Sequence, residues 1–409
     1  MAGVTPPLDL LVPTGLDSAL RMGVEKPVVG DRLAFFYDTD NFTIQWNSAD
    51  VTLEDAEAAG DALERSWDVL IGREGWDPPV SGEFQKLWVI LDPDLDATGL
   101  TTALPTDVWP EGLPVIYVNP LYRSNPDFYA SVCAHEFGHA LQFRHRNYYD
   151  GDEYEPWYWE ATSEWMAEVV GPEWDQYAWS SNWYATAPDA DFYSMENYHQ
   201  YGMMLLNAHL DEHVLGTEGV WDIWWSNIGL RWVEEIEDAV EEPAQTIWAG
   251  FAGSYGGGFL RDSWAYERPA AAGADGVISG ELGSAYVDLG EVTGTVHVDG
   301  GVGTLITSTD WTVFEGSIAV PDGVGAVRVA VTNPDGRGTE YRVEVHPAEP
   351  PADPPVGAAE DRDRPASGGS KGRGCAAVLR PTGWGGWAIW LGALVFRFRR
   401  ASQAEFPRR

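Results

Sequence analysis

Three residues within 131–145 have the types and spacing for metal chemistry: His135, Glu136 and His139, in the order His-Glu-x-x-His. On a helix, residues i and i+4 lie one above the other, about 40° apart around the axis. Two imidazole nitrogens, from His135 and His139, can therefore aim at one point. Zinc accepts such nitrogens at roughly 2.0–2.1 Å with a tetrahedral preference. Glu136 falls about 100° round from His135. That is too far for a primary ligand, but it suits the general-base role of taking a proton from an attacking water. Such a motif also arises by coincidence. Against that, the chain has only eight histidines and three of them fall between 135 and 145. The apolar neighbours Val132, Phe137, Ala140 and Leu141 predict a buried helix, and buried histidines need partners. Ala134 and Gly138 are small, as a helix packed close under a sheet requires.

The third protein ligand has two candidates. His145 stands where the metzincin pattern H-E-x-x-H-x-x-G-x-x-H places its last histidine. Gln142 occupies the position of the glycine that lets that helix turn. If the helix continues, His145 ends about 120° round and roughly 9 Å along the axis from His139, out of reach. The "YSMENY" segment (193–198) only weakly resembles the metzincin Met-turn. Glu160, in "WYWEATSEW", is the other candidate, and Glu160 and Glu164 are again i and i+4. This arrangement resembles the gluzincins, the thermolysin-like and aminopeptidase-like zinc peptidases. The resemblance implies that Glu160 completes a His2Glu zinc site and that Glu164 hydrogen-bonds the far nitrogen of His135. A second resemblance is to secreted bacterial metalloproteases with "HEFxHxxQ", "W..E.T..W" and a later "YG". It rests on residues 135–142, 157–165 and Tyr201-Gly202 and spans roughly residues 40 to 260.

A peptidase of this kind needs a donor for the oxyanion of its tetrahedral intermediate. "ENYHQYGMMLL" (196–206) offers Tyr201 first and His199 second, with Tyr198 beside them. The gluzincin resemblance implies a Tyr or His in this role. The tryptophans of 157–183 and 221–232 read as core or subsite walls ahead of sugar-stacking platforms. The acidic "DGDEYE" (150–155) lacks the spacing of an EF-hand loop and reads as a solvated loop.

The elements that must position these residues follow from periodicity. Strands are expected at 42–46, 86–92 and 114–119, the last as the edge strand beside which an extended peptide would lie. A helix is expected over 53–70 and the motif helix over roughly 126–145. Residues 157–260 read as mainly helical. From about 275, short alternating strands broken by Gly, Pro and Asn-Pro-Asp-Gly turns predict a β-sandwich. The expected fold class is α+β, in which a zincin-like peptidase domain (31–270) of sheet, active-site helix and helical subdomain precedes an all-β sandwich (280–347). Residues 1–30 read as a lead-in or prosegment remnant, 348–374 as a disordered linker and 375–409 as a tail.

Charge and cysteine content narrow the function. Lys and Arg number 25 against 64 Asp and Glu, a net charge of −39. A polyanion of this size repels nucleic acid and anionic membrane, so neither is expected as a main partner. The two cysteines, Cys133 inside the motif helix and Cys375 in the tail, exclude a disulfide framework. The N-terminus does not read as a signal peptide. The tail does carry a targeting pattern. Gly374-Cys375, then an apolar run over 383–396 too short to span a bilayer, then Arg397, Arg399 and Arg400 resemble the MYXO-CTERM tails of surface proteins. That resemblance implies export, transient membrane contact through the tail, a sorting protease that processes it near Cys375, and a cell-surface or extracellular product. The expected function is zinc-dependent hydrolysis of a protein or peptide substrate. The alternatives are a degenerate domain that serves as a surface binding module and a metzincin that uses His145.

Overall fold

Alternation with a period of two builds the sheet that carries the candidate site. In a computed structural model of the chain, β1 (Phe35–Asp38), β2 (Phe42–Trp46), β3 (Leu87–Leu91), β4 (Gly99–Leu104) and β5 (Leu113–Val118) form one sheet in the order β1-β2-β3-β5-β4. The inner strands β2, β3 and β5 run parallel, and both edge strands are antiparallel to their neighbours. Phe42, Ile44, Trp46, Leu87, Val89, Leu91, Ile116 and Val118 turn to one face, the face covered by helices. Trp88, Ile90, Leu113 and Val115 form a smaller cluster on the other face. Segment 114–119 is therefore not the edge strand: β5 is hydrogen-bonded on both sides, and β4 is the edge. The sequence GLTTAL of β4 has neither strong alternation nor a buried run, so it gave no strand signal.

The structure describes residues 33–79, 85–104, 113–145, 156–226, 231–263, 267–334 and 337–348. The lead-in 1–30, the acidic segment 150–155, the linker beyond 348 and the tail with Cys375 lie outside the described residues.

Helix α1 (Leu53–Trp67) opens with a capping box in which Thr52 and Asp55 satisfy each other's backbone N–H groups. It buries Ala56, Ala59 and Leu63 against the sheet and continues into a π-helical turn at Asp68–Arg73. Helix α2 (Pro126–Gln142) starts with Pro at its first turn and is buried on nearly every side from Tyr129 onward. It is held between α1, the strands β4 and β5, and helix α3 (Pro156–Val170). Gly138 serves α3 and not the sheet. A Cβ there would lie 2.8 Å from Ser163 Oγ and 3.3 Å from Ser163 Cα, so the two helices meet where α2 has no side chain. Cys133 is free and fully buried, an apolar packing residue.

Helices α4 (Gln176–Thr186), α5 (His199–Gly202), α6 (Met204–His209), α7 (Gly216–Ser226), α8 (Trp232–Val240) and α9 (Ala244–Gly257) complete the helical layer. Trp157, Trp159, Trp165, Trp224, Trp232 and Trp248 are among its largest fully buried side chains, which makes them core and not a sugar platform. Among the described residues no helix is long and apolar enough to cross a membrane.

The remaining strands start at Asp275, where the change in pattern placed them and five residues before the expected sandwich bound at 280. One four-stranded antiparallel sheet contains β7 (Ser284–Glu291), β9 (Val302–Ile306), β10 (Trp311–Phe314) and β12 (Ala326–Thr332). The other contains β6 (Asp275–Ile278), β8 (Gly294–Asp299), β11 (Ser317–Val320) and β13 (Thr339–His346). Val287, Leu305, Val329 and Val331 of the first share a core with Val296, Val298, Tyr341 and Val343 of the second. The outer face of the first sheet rests on α9, where Thr304 Oγ1 donates to the Ala249 carbonyl at 2.8 Å. The described residues, which end at Ala348, therefore make one unit of α+β class, with the sandwich packed on the helical layer.

Candidate metal centre

Helices α2 and α3 together assemble what neither holds alone. Two turns of α2 present His135 and His139 on one face, with their rings 4.7 Å apart and nearly perpendicular. Across the close contact at Gly138, the second turn of α3 brings Glu160. Its Oε2 lies 3.3 Å from His135 Nε2 and 3.5 Å from His139 Nε2. Ligand atoms of the three residues all lie within 4.8 Å of one another, and this group could hold a metal ion.

The opposite ring nitrogens are engaged. His135 Nδ1 faces Glu164 Oε2 at 3.0 Å, and Glu164 Oε1 in turn accepts from Ser180 Oγ at 3.1 Å. His139 Nδ1 faces Gln142 Oε1 at 2.8 Å and Ser163 Oγ at 3.1 Å. The Gln142 amide is oriented from its other end, because Nε2 donates to the Trp159 carbonyl at 3.0 Å. With acceptors behind both rings, each Nδ1 carries the proton and each Nε2 offers a lone pair to the shared point. The donor set thus fits a divalent metal with a taste for imidazole and carboxylate.

The electrostatics of this group, taken without a metal, favour protonation. Burial alone would lower the pKa of His135, but Glu160 and Glu164 outweigh it and hold the ring up at about 10. Burial pushes Glu160 up, yet His139 and His135 bring its carboxylate well below the usual range. A metal placed here displaces that proton, as expected wherever metal and proton compete for the same nitrogen.

Glu136 sits on the sheet side of α2. Burial raises its carboxyl pKa, against the pull of His139, His135 and the Thr101 hydroxyl. Thr101 Oγ1 lies 2.7 Å from Glu136 Oε2. Tyr201 also reaches the group: its ring is 5.8 Å from that of His135, and its hydroxyl interacts with Glu160. Burial first, then the nearby carboxylates, keep that phenol protonated and so a donor. Trp183 and Tyr198 pack against Tyr201 at 5.6 and 6.3 Å, extending an aromatic wall beside His135.

Two sequence candidates are placed elsewhere. His199 is buried against Tyr184, stacked at 5.7 Å, and burial lowers it to about 4. The left-handed turn at Asn197 and Tyr198 (φ 53° and 64°) precedes a new helical segment, in which His199 is buried in the core. His145 packs on Trp225 at 5.2 Å and Trp76 at 6.4 Å. The expectation that α2 runs on to 145 does not hold, because the helix ends at Gln142. Tight turns follow, from His145 N–H to the Gln142 carbonyl and from Arg144 N–H to the Leu141 carbonyl. Gln142 does not extend the helix; its side chain braces His139. Met195, of the weak Met-turn echo, is 40% exposed and forms no floor for the site.

Sequence reasoning missed Thr101, Ser163 and Ser180, single hydroxyls without a pattern of their own. For Gln142 a signal existed: an amide three residues after a buried histidine lies on the same helix face. Residues 86–238 match the model of a family of unknown function (DUF6055). That segment runs from β3 into α8 and contains every residue of the candidate metal centre. No curated protein matches the chain.

Proposed function

We propose that this protein is a zinc-dependent peptidase of gluzincin type, with a zincin-like arrangement of sheet, motif helix and helical layer in residues 31–270. One observation carries the reading. Nε2 of His135, Nε2 of His139 and Oε2 of Glu160 converge from two helices while acceptors behind both rings hold their tautomers. His2Glu is a donor set of hydrolytic zinc sites. When bound, zinc supplies a Lewis acid for the scissile carbonyl and lowers the pKa of water.

The chain's own residues account for the remaining steps. Glu136 takes the proton of the attacking water and passes it to the leaving amine. Its burial suits both halves of that task, because a raised carboxyl pKa makes a stronger base and a readier store for the proton. Tyr201, held as a neutral phenol, donates to the developing oxyanion. Among the described residues β4 is an edge strand of its sheet and lies beside Glu136, and an extended peptide can pair there as an added strand. The C-terminal Gly-Cys, apolar and arginine pattern supports an exported protein whose tail is trimmed near Cys375 by a sorting protease.

The test is a metal and cleavage comparison on the full chain. Expected are about one zinc per chain, cleavage of an unfolded protein such as casein, and a loss of about 10²–10⁴-fold on Glu136→Gln with zinc retained. Glu160→Ala loses the metal and His145→Ala keeps it. Full zinc without Glu136-dependent cleavage of any peptide establishes a binding module instead. Loss of zinc on His145→Ala but not on Glu160→Ala establishes a metzincin.

A further inference from the structure

Strand β4 does more than border the candidate site. Thr101 Oγ1 lies 2.7 Å from Glu136 Oε2 and 2.8 Å from the Glu136 backbone carbonyl. A hydroxyl has one proton to donate, and of these two acceptors the carboxylate is the stronger. Two residues earlier on the same face of the strand is Gly99. A Cβ there would lie 2.5 Å from Glu136 Oε1 and 2.8 Å from Glu136 Cδ, so the carboxylate occupies the space a side chain would fill. Thr101 holds one oxygen of Glu136, and the bare backbone of Gly99 receives the other. Both come from one short strand at the sheet edge, 35 residues from Glu136 in sequence for Thr101. A glutamate has three side-chain torsions, and without such contacts its head would sample several rotamers.

We propose that Thr101 is a positioning residue for Glu136, with Gly99 as its steric complement: the hydroxyl selects the one carboxylate rotamer that faces the metal-binding group. The rate consequence rests on the peptidase reading above, whereas the rotamer consequence does not. Thr101→Val keeps the size and branching of the side chain and removes the hydroxyl, and Thr101→Ser restores the hydroxyl without the methyl. Gly99→Ala leaves Thr101 intact and fills the space.

The experiment is the crystal structure, metal content, kcat and KM of the three full-chain variants beside the wild type. In Thr101→Val and Gly99→Ala the Glu136 carboxylate is expected to leave its position or to spread over more than one rotamer, with metal content unchanged. Misplacement of a reacting group by about an ångström costs up to about 100-fold, so kcat is expected to fall about 10- to 100-fold with KM nearly constant. Thr101→Ser recovers the rotamer and most of the rate. The proposal is overturned if Glu136 keeps its rotamer in Thr101→Val, or if Thr101→Ser is as impaired as Thr101→Val. Rotamer changes without Glu136-dependent cleavage in any form, wild type included, retain the positioning role and remove the peptidase reading. Cleavage that depends on Glu136 but is unaltered in Thr101→Val does the reverse.

Discussion

Gly138 of α2 lies directly against Ser163 of α3, at a separation that leaves no room for a methyl group. The two histidines stand on one side of this contact and Glu160 on the other, so the spacing of the whole donor set depends on it. Gly138→Ala gains roughly 1 kcal/mol of helix propensity and loses about 1–3 kcal/mol to overpacking. The net change in thermal stability is expected to be a few degrees. Metal affinity should fall more clearly, by about tenfold, the lower end of what disturbed outer partners cost, because the displacement falls between the ligands. Chelator competition beside a melting curve separates the two effects. An alanine variant that binds metal as tightly as the wild type would show that the helix contact does not set the site.

Glu164 gives a second handle on the same donor set. Its carboxylate accepts from His135 Nδ1 and is itself held by Ser180. Glu164→Gln keeps an acceptor but loses the charge, and Glu164→Ala loses both. Partners of this kind are worth about 10- to 100-fold in metal affinity, so glutamine is expected near the lower figure and alanine near the upper. Equal affinity in wild type and Glu164→Ala, measured by competition with a chelator of known strength, would remove the orienting role.

The site was legible in the sequence to the extent that chemistry repeats at helical spacing. His135 and His139, then Glu160 and Glu164, are each i and i+4, and each pair announces a face. The partners supplied from outside those faces were not legible. Thr101 arrives on an edge strand, GLTTAL, that has no clear alternation of polar and apolar residues. The end of α2 also misled: Gln142 is a good helix former, yet its side chain is used on His139 and Trp159, and the backbone turns there regardless. The burial of His199 against Tyr184 was not legible for a related reason. Two consecutive left-handed residues, Asn197 and Tyr198, reset the direction of the chain just before it, and neither is a glycine that would have flagged the turn. For the fold, inner strands and buried helices were readable from alternation and period, whereas strand order was not. Order depends on which edge β4 adds to, a tertiary choice with no local signature.

Gln142 carries a prediction of its own. It accepts from His139 and donates to the Trp159 carbonyl, in a setting where the side chain is fully buried. Gln142→Met matches its length and removes both bonds. Stability should fall by about 1–3 kcal/mol for the polar groups left without partners, and metal affinity by about tenfold. Gln142→Glu retains the acceptor for His139 while losing the donor to Trp159. It should therefore recover metal affinity and not stability. A methionine variant with unchanged stability and affinity would show that neither bond matters.

Buried neutral histidines away from the donor set make the fold sensitive to acid. His209 lies between α6 and α9, with Ser254 Oγ 2.9 Å from its Nδ1, the ring of His213 at 5.7 Å and that of Trp311 at 6.3 Å. Burial, and next the neighbouring His213, lower its pKa to about 3. In the unfolded chain the same ring titrates near 6.5. Between those values the unfolded state holds the extra proton, so stability rises with pH across the window and is lost as pH falls from about 6.5 toward 3. At pH 5 the loss from this one residue is about 2 kcal/mol. His145 and His199, each lowered to about 4 by burial, act in the same direction. His209→Gln removes the titrating group and preserves a polar partner for Ser254. Its melting temperature should therefore fall less between pH 7 and pH 5 than that of the wild type, whatever its absolute stability. Parallel curves for the two proteins would place the acid sensitivity in other groups.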